Sequence, residues 1–131
     1  MSQLNPQKMI NEKVLEVCEF TKCQQVNVDL TVSENVILNN LQSLNVLLNK
    51  IVHLPKDVYA TFTHRSSYNR KGVLITGSIY DPGYNGQIGY TIYNMSKEEL
   101  RIGKNKRIGQ IMFFKADPAS SYSGQYQGEH L

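Results

Sequence analysis

The chain is 131 residues long, enough for one hydrophobic core and too short for two. Its composition, 40% hydrophobic and 19% charged without a low-complexity tract, excludes a fibrous or disordered chain. The net charge of +3 comes from small basic groups (Arg65, Arg70 and Lys71; Lys104, Lys106 and Arg107), which argues against a nucleic-acid surface but suits a small polyanion.

The spacing of Cys18 and Cys23 fits neither a redox Cys-x-x-Cys nor a zinc half-site, and no His-x-His or second cysteine pair accompanies them. They read as structural thiols of a reducing compartment. No signal peptide is recognisable, and no apolar run approaches the roughly 18 residues of a membrane span. A cytoplasmic protein with no membrane partner is expected.

In chain order, residues 5–18 carry the one good helix signal. Asn5 can cap, Pro6 suits the first turn, and Met9, Ile10, Val14 and Val17 share a face. The stripe is narrow, so the helix should pack on a sheet edge or a neighbouring subunit. From Gln25 the period changes: Val26, Val28, Leu30 and Val32 alternate with Asn27, Asp29, Thr31 and Ser33, a half-buried strand. Further strands are expected around Val36–Leu41, Leu44–His53, Val58–Thr63, Val73–Ile79, Gln87–Tyr93 and Ile108–Lys115. Residues 41–52 also read as a helix, with Leu44, Leu47, Leu48 and Ile51 at helical spacing, but β signals on both sides favour strand. Turns are expected at Pro55-Lys56-Asp57, Asp81-Pro82-Gly83, Asn94-Met95-Ser96 and Lys104-Asn105-Lys106. Many short strands at near-regular spacing indicate an all-β barrel or jelly roll. The tail, residues 117–131, is rich in Ser, Tyr, Gly and Gln, and should be mobile unless something binds it.

Four stretches carry candidate chemistry. Arg65-Ser66-Ser67-Tyr68-Asn69-Arg70 offers hydroxyl and guanidinium donors that could grip a phosphate by charge-assisted hydrogen bonds. By composition alone it is as readily a polar loop. Asp81-Pro82-Gly83-Tyr84-Asn85-Gly86 places a carboxylate and an aromatic ring on a Gly-rich turn, or is simply a hairpin turn. Lys106-Arg107-Ile108-Gly109-Gln110 and Tyr122-Ser123-Gly124-Gln125-Tyr126-Gln127-Gly128 are weak signals singly.

Taken in order, these stretches resemble the dUTPase/dCTP-deaminase family over nearly the whole chain, the deaminase branch most closely. The Ser-x-Asp-Leu-type motif is similar to Gln25–Val32, and the Leu-Pro-x-Asp segment to Leu54–Asp57. Arg-Ser-Ser-x-x-Arg is complete as Arg65, Ser66, Ser67 and Arg70. Asp-Pro-Gly-Tyr-x-Gly matches Asp81–Gly86, and Arg-Ile-Ala-Gln matches Arg107–Gln110 with Gly109 for alanine. The tail motif matches Tyr122–Gly128, with Gln125 in place of lysine.

The resemblance implies a distorted jelly-roll (β-clip) barrel with a short N-terminal helix region (residues 1–20), a single domain over residues 1–131, and a flexible C-terminal lid over residues 117–131. It implies a homotrimer with nucleotide sites between subunits, acting on dUTP with Mg²⁺ held by the triphosphate and by no protein ligand directly. Carried over by position, Arg65, Ser66, Ser67, Arg70 and Gln110 would hold the phosphates. Tyr84 would pack on the deoxyribose, and the hairpin around Ile79, Gly86 and Thr91 would read the base. Asp81 would be the catalytic base, and Tyr122, Gln125 and Tyr126 would belong to the lid.

The chain departs from the family in four respects. Ten residues after Asp81, where family deaminases carry a proton-shuttling glutamate, stands Thr91, whose hydroxyl is no base near neutral pH. Glu129 replaces a glutamine, and Gln125 a lysine, which weakens the hold on a triphosphate. The segment between the first motif and the phosphate motif is shorter than in family deaminases. The 131 residues also lack the glycine-rich, Arg-containing final motif of typical dUTPases. The implied activity is dUTP diphosphatase. The alternatives are an inert nucleotide-binding or regulatory protein on the same scaffold, and a dCTP deaminase or bifunctional enzyme.

Overall fold

A computed structural model of the chain describes residues 3–16, 23–117 and 127–128, without the side chains at positions 47 and 49. Two antiparallel sheets and a two-stranded ribbon enclose the core. The first sheet runs β1 (Val28–Thr31), β9 (Arg107–Lys115), β4 (Val58–His64), β6 (Ile79–Tyr80). The second runs β3 (Ser43–His53), β7 (Asn85–Asn94), β5 (Val73–Thr76), and β2 (Val36–Leu38) pairs with β8 (Leu100–Ile102).

Alternation drives this arrangement. Along β7, Ile88, Tyr90 and Ile92 point inward and Gln87, Gly89 and Thr91 outward. Ile108, Ile111 and Phe113 of β9 and Leu48 and Val52 of β3 meet them, each at most 1% exposed. Each such side chain contributes roughly 1.5–3 kcal/mol by leaving water. The all-β expectation holds, and residues 43–53 are strand, since their alternate positions pair with β7 across the sheet.

Several expected elements differ. The helix is α1, Pro6–Asn11, not residues 5–18: Asn5 Oδ1 accepts from the Lys8 amide at 3.1 Å as expected, but Lys13 adopts φ 59° and ends the helix. Val14 and Leu15 then run extended beside β3, where Leu15 is 1% exposed and pairs with Val52. The tertiary sites for these side chains outweigh their helical spacing; Val17 and Cys18 lie outside the described residues. Residues 73–79 are two strands. The chain leaves β7 after Thr76 and joins β4 at Ile79, crossing between sheets at Gly77 and Ser78. A second helix, α2 (Ser66–Arg70), and β8 carry no sequence signal.

β1 is buried along both alternations, so its polar residues do not face water. Asp29 is 0% exposed, and its Oδ2 accepts from Arg107 Nη1 at 3.1 Å and from Gln24 Nε2 at 3.0 Å. Thr31 Oγ1 accepts from the buried Lys50 Nζ at 3.1 Å. Cys23 is a free thiol. Among the described residues no helix is long and apolar enough to cross a membrane.

Candidate nucleotide site

The hairpin that carries Asp81 is built by its sequence. Pro82 presets the first central position of a tight turn, and Gly83 supplies the positive φ (84°) that the second requires. The Tyr84 amide closes the turn on the Asp81 carbonyl at 3.0 Å. The turn is tied to β3 and the segment after it: Gly83 N donates to Pro55 O at 3.1 Å, and Leu54 N to Tyr84 O at 2.9 Å. Tyr80 and Tyr84 stack at 5.8 Å, with their hydroxyls donating to Gly89 O and Gln87 O, both at 2.9 Å. Burial pushes the Tyr80 phenol above the ordinary tyrosine range, so the hydroxyl stays a donor.

Beneath the hairpin opens a cavity of ≈ 640 Å³ whose walls include Asn45, Thr76, Ile79, Asp81, Tyr84 and Thr91. Asp81 is exposed, and its carboxylate makes no hydrogen bond or ion pair with any described residue. It is the one carboxylate among the described residues lining the cavity, and no lysine or arginine lines it. Thr91 Oγ1 donates to Asn45 Oδ1 at 2.8 Å.

Ile79, Asp81, Tyr84 and Thr91 therefore share one cavity. Gly86 is buried in the sheet opposite Val52 and does not line it. The expected phosphate group lies elsewhere. Ser66, Ser67 and Arg70 are exposed on α2, Arg65 sits half-buried at its start, and Gln110 of β9 pairs with Thr63 of β4. Tyr68 Oη donates to Arg107 O at 3.2 Å and so ties α2 to β9, and none of these donors lines the cavity.

Phe62 joins the two regions. Its ring stacks on Tyr90 at 6.1 Å and lies against Gly77 and Gly109. A Cβ on Gly109 would stand 2.4 Å from Phe62 Cζ and 2.5 Å from Thr63 O, which accounts for glycine where the family pattern has alanine. Tyr90 Oη is buried without a partner among the described residues, and burial raises that phenol too.

Tyr122, Gln125 and Tyr126 lie outside the described residues. Gln127 and Gly128, in the stretch expected to be mobile, are docked on the hairpin. Gln127 Oε1 accepts from Asn85 N at 2.7 Å, its Nε2 donates to Gly83 O at 2.9 Å, and Gly128 N donates to Asn85 O at 2.7 Å. On the other side of Asn85, the His53 ring bonds the Asn85 carboxamide and, through Nε2, Glu16 at 2.7 Å. Sequence reading missed Asn45, Tyr80, Phe62 and His53, because a polar residue on an alternating strand or an aromatic beside a glycine is ordinary in any β protein.

Comparison with known proteins places this geometry. A dCTP deaminase of Pyrococcus horikoshii is 32% identical over 103 residues, covering 77% of this chain and 66% of its own. A probable deoxyuridine 5′-triphosphate nucleotidohydrolase of Methanococcoides burtonii is 35% identical over 88 residues, 66% of this chain and 52% of its own. The chain thus spans about half to two thirds of the length of these curated relatives. A Staphylococcus bacteriophage 80alpha dUTPase with bound dUpNHpp superposes with a TM-score of 0.67 at 16% identity, covering 86% of this chain and 97% of that one, so the fold is shared. The family model for dUTPase matches residues 15–126, and the chain belongs to the dUTPase family.

Proposed function

We propose that the protein is a dUTP diphosphatase that cleaves dUTP to dUMP and pyrophosphate as a homotrimer. The observation that carries this reading is the cavity's single carboxylate, Asp81, with a neutral Thr91–Asn45 pair in place of a second acid. Hydrolysis at a phosphate needs one base. Deamination of a cytosine ring also needs a proton shuttle, and no second carboxylate stands among the described residues of this cavity.

Asp81 takes a proton from the attacking water as its oxygen bonds to the α-phosphorus, and the bond to the departing pyrophosphate breaks. A positioned general base contributes roughly 10²–10⁴-fold. The Tyr84 ring packs on the deoxyribose, where an added 2′-hydroxyl would clash.

The absence of lysine and arginine from the described cavity walls supports the trimer. A triphosphate with its α-phosphate at Asp81 requires cations, and the face that carries Arg65 and Arg70, with Ser66, Ser67 and Gln110, contributes nothing to the described lining of the cavity. A neighbouring subunit would present that face to the cavity. Mg²⁺ would be carried by the phosphate oxygens of the nucleotide and by water. When bound, the ion neutralises charge developing on the pyrophosphate.

Pyrophosphate release from dUTP with Mg²⁺, compared between the wild type and Asp81→Asn, tests the assignment. The variant should lose at least about a hundredfold in turnover while still binding dUMP. Equal turnover would remove Asp81 from the mechanism. Tight dUTP binding by the wild type without pyrophosphate release would favour an inert nucleotide binder.

A further inference from the structure

The outer face of the β3–β7–β5 sheet carries a row of polar side chains that hydrolysis does not use. Asn45 of β3 and Thr76 of β5 flank Thr91 of β7 as direct cross-strand partners, and all three line the cavity. The 2.8 Å bond from Thr91 Oγ1 to Asn45 Oδ1 fixes the carboxamide's orientation. With Oδ1 already accepting from the hydroxyl, the Asn45 NH₂ group has no partner among the described residues, so Asn45 presents two free N–H donors to the cavity beside a carbonyl oxygen with one lone pair taken.

A nucleotide is ordered phosphate, sugar, base. With the α-phosphate at Asp81 and the sugar against Tyr84, its base extends beyond the sugar, and the Asn45–Thr91 row is a polar wall of the same cavity, which Ser78 and Gln87 also line. Uracil and cytosine differ on that edge: position 4 of uracil is a carbonyl acceptor, and that of cytosine is an amino donor. An amide N–H pairs with the first. Against the second, donor faces donor, and both groups lose water without gaining a partner.

We propose that Asn45, oriented by Thr91, is a specificity-determining residue that donates to the 4-oxo group of uracil and disfavours cytosine. This inference rests on reading the cavity as a pyrimidine-nucleotide site, and its test is a binding measurement independent of turnover.

Calorimetric titration of dUMP and dCMP into the full-length protein gives the ratio of their affinities for the wild type, Asn45→Asp, Asn45→Ala and Thr91→Val. The wild type should favour dUMP. Asn45→Asp, with acceptors facing the base, should shift the ratio toward dCMP by about tenfold or more. Asn45→Ala should lower dUMP affinity while changing dCMP affinity little. Thr91→Val, which frees the carboxamide to turn, should shrink the preference. Far-UV circular dichroism and light scattering identify variants that fold and assemble, and Asn45→Ala and Thr91→Val carry the test if Asn45→Asp does not fold. An unchanged ratio in folded variants would overturn the role of Asn45 even if dUTP is hydrolysed. A ratio that shifts as expected in a protein without hydrolysis would uphold Asn45 and refute only the reaction. Binding of neither nucleotide by the wild type would overturn both.

Discussion

Gly109 and Phe62 show how much of the site one atom decides. The Phe62 ring fills the space that a Cβ on Gly109 would need, at 2.4 Å, and its stacking on Tyr90 ties β4 of the first sheet to β7 of the second. Gly109→Ala should therefore destabilise the protein by about 1–3 kcal/mol through overpacking. In a Phe62→Leu background the same substitution should cost less, because the nearest ring atoms are gone. Thr63 O, 2.5 Å from where the alanine methyl would stand, keeps the rescue partial. Denaturant unfolding of the four proteins in a double-mutant cycle checks it, and equal costs in both backgrounds would separate Gly109 from Phe62. The departure from the family pattern at Gly109 was visible in the sequence. Its cause was not, since Phe62 is remote from it along the chain and only the β4–β9 register brings them together. Asp29 illustrates the reverse: alternation placed it outward, whereas it is buried, with the Arg107 guanidinium and the Gln24 amide compensating at Oδ2 and Oδ1 left without a partner among the described residues.

At the scale of elements, strands were legible where one face is wet. β7 alternates along its length, and its boundaries nearly coincide with the run of alternating residues. The β5–β6 division was marked only by Gly77 and Ser78, a short polar break that also occurs within a single strand, so the crossing between sheets was not legible. The helix was over-extended because Val14 sits at helical spacing from Ile10 yet finds its burial site beside β3. β6 and β7 pair with different sheets, so the expected hairpin is a turn between the sheets; it is fastened by Tyr80, whose hydroxyl bonds Gly89 O, while Tyr90 is buried in β7 itself. Burial favours the neutral phenol of both, so their ionisation is deferred above the ordinary tyrosine value of 10.0. Their contribution to stability is present in full below the unfolded-state value, and is lost as pH rises through it toward the folded-state value. In a spectrophotometric titration, two of the eight tyrosines, Tyr80 and Tyr90, should stay un-ionised at about pH 11 until the protein unfolds. Reversible ionisation of all eight in the native state would contradict the packing of this hairpin.

For the whole molecule, the ordered motifs made the family legible, and the cavity brings together Ile79, Asp81, Tyr84 and Thr91 as the sequence led one to expect. What a sequence cannot display is that the cation-bearing α2 contributes no residue to the lining of the carboxylate-bearing cavity. If subunits complement each other, trimers formed from Asp81→Asn chains alone and from Arg70→Ala chains alone should both be impaired. Co-refolding the two should recover turnover, since some interfaces then join an intact Asp81 to an intact Arg70. No recovery in mixed trimers of confirmed composition would place both residues in a site made by one chain.

The most direct measurement follows pyrophosphate and ammonia together in parallel reactions with dUTP, dCTP, dTTP and UTP, in the presence of Mg²⁺. A cavity with Asp81 as its one described carboxylate and Thr91 bonded to Asn45 predicts pyrophosphate from dUTP, little from the other nucleotides, and no ammonia from dCTP. Ammonia released from dCTP at a rate comparable with pyrophosphate from dUTP would contradict it, because a proton shuttle would then exist where the described residues supply a threonine hydroxyl and an amide.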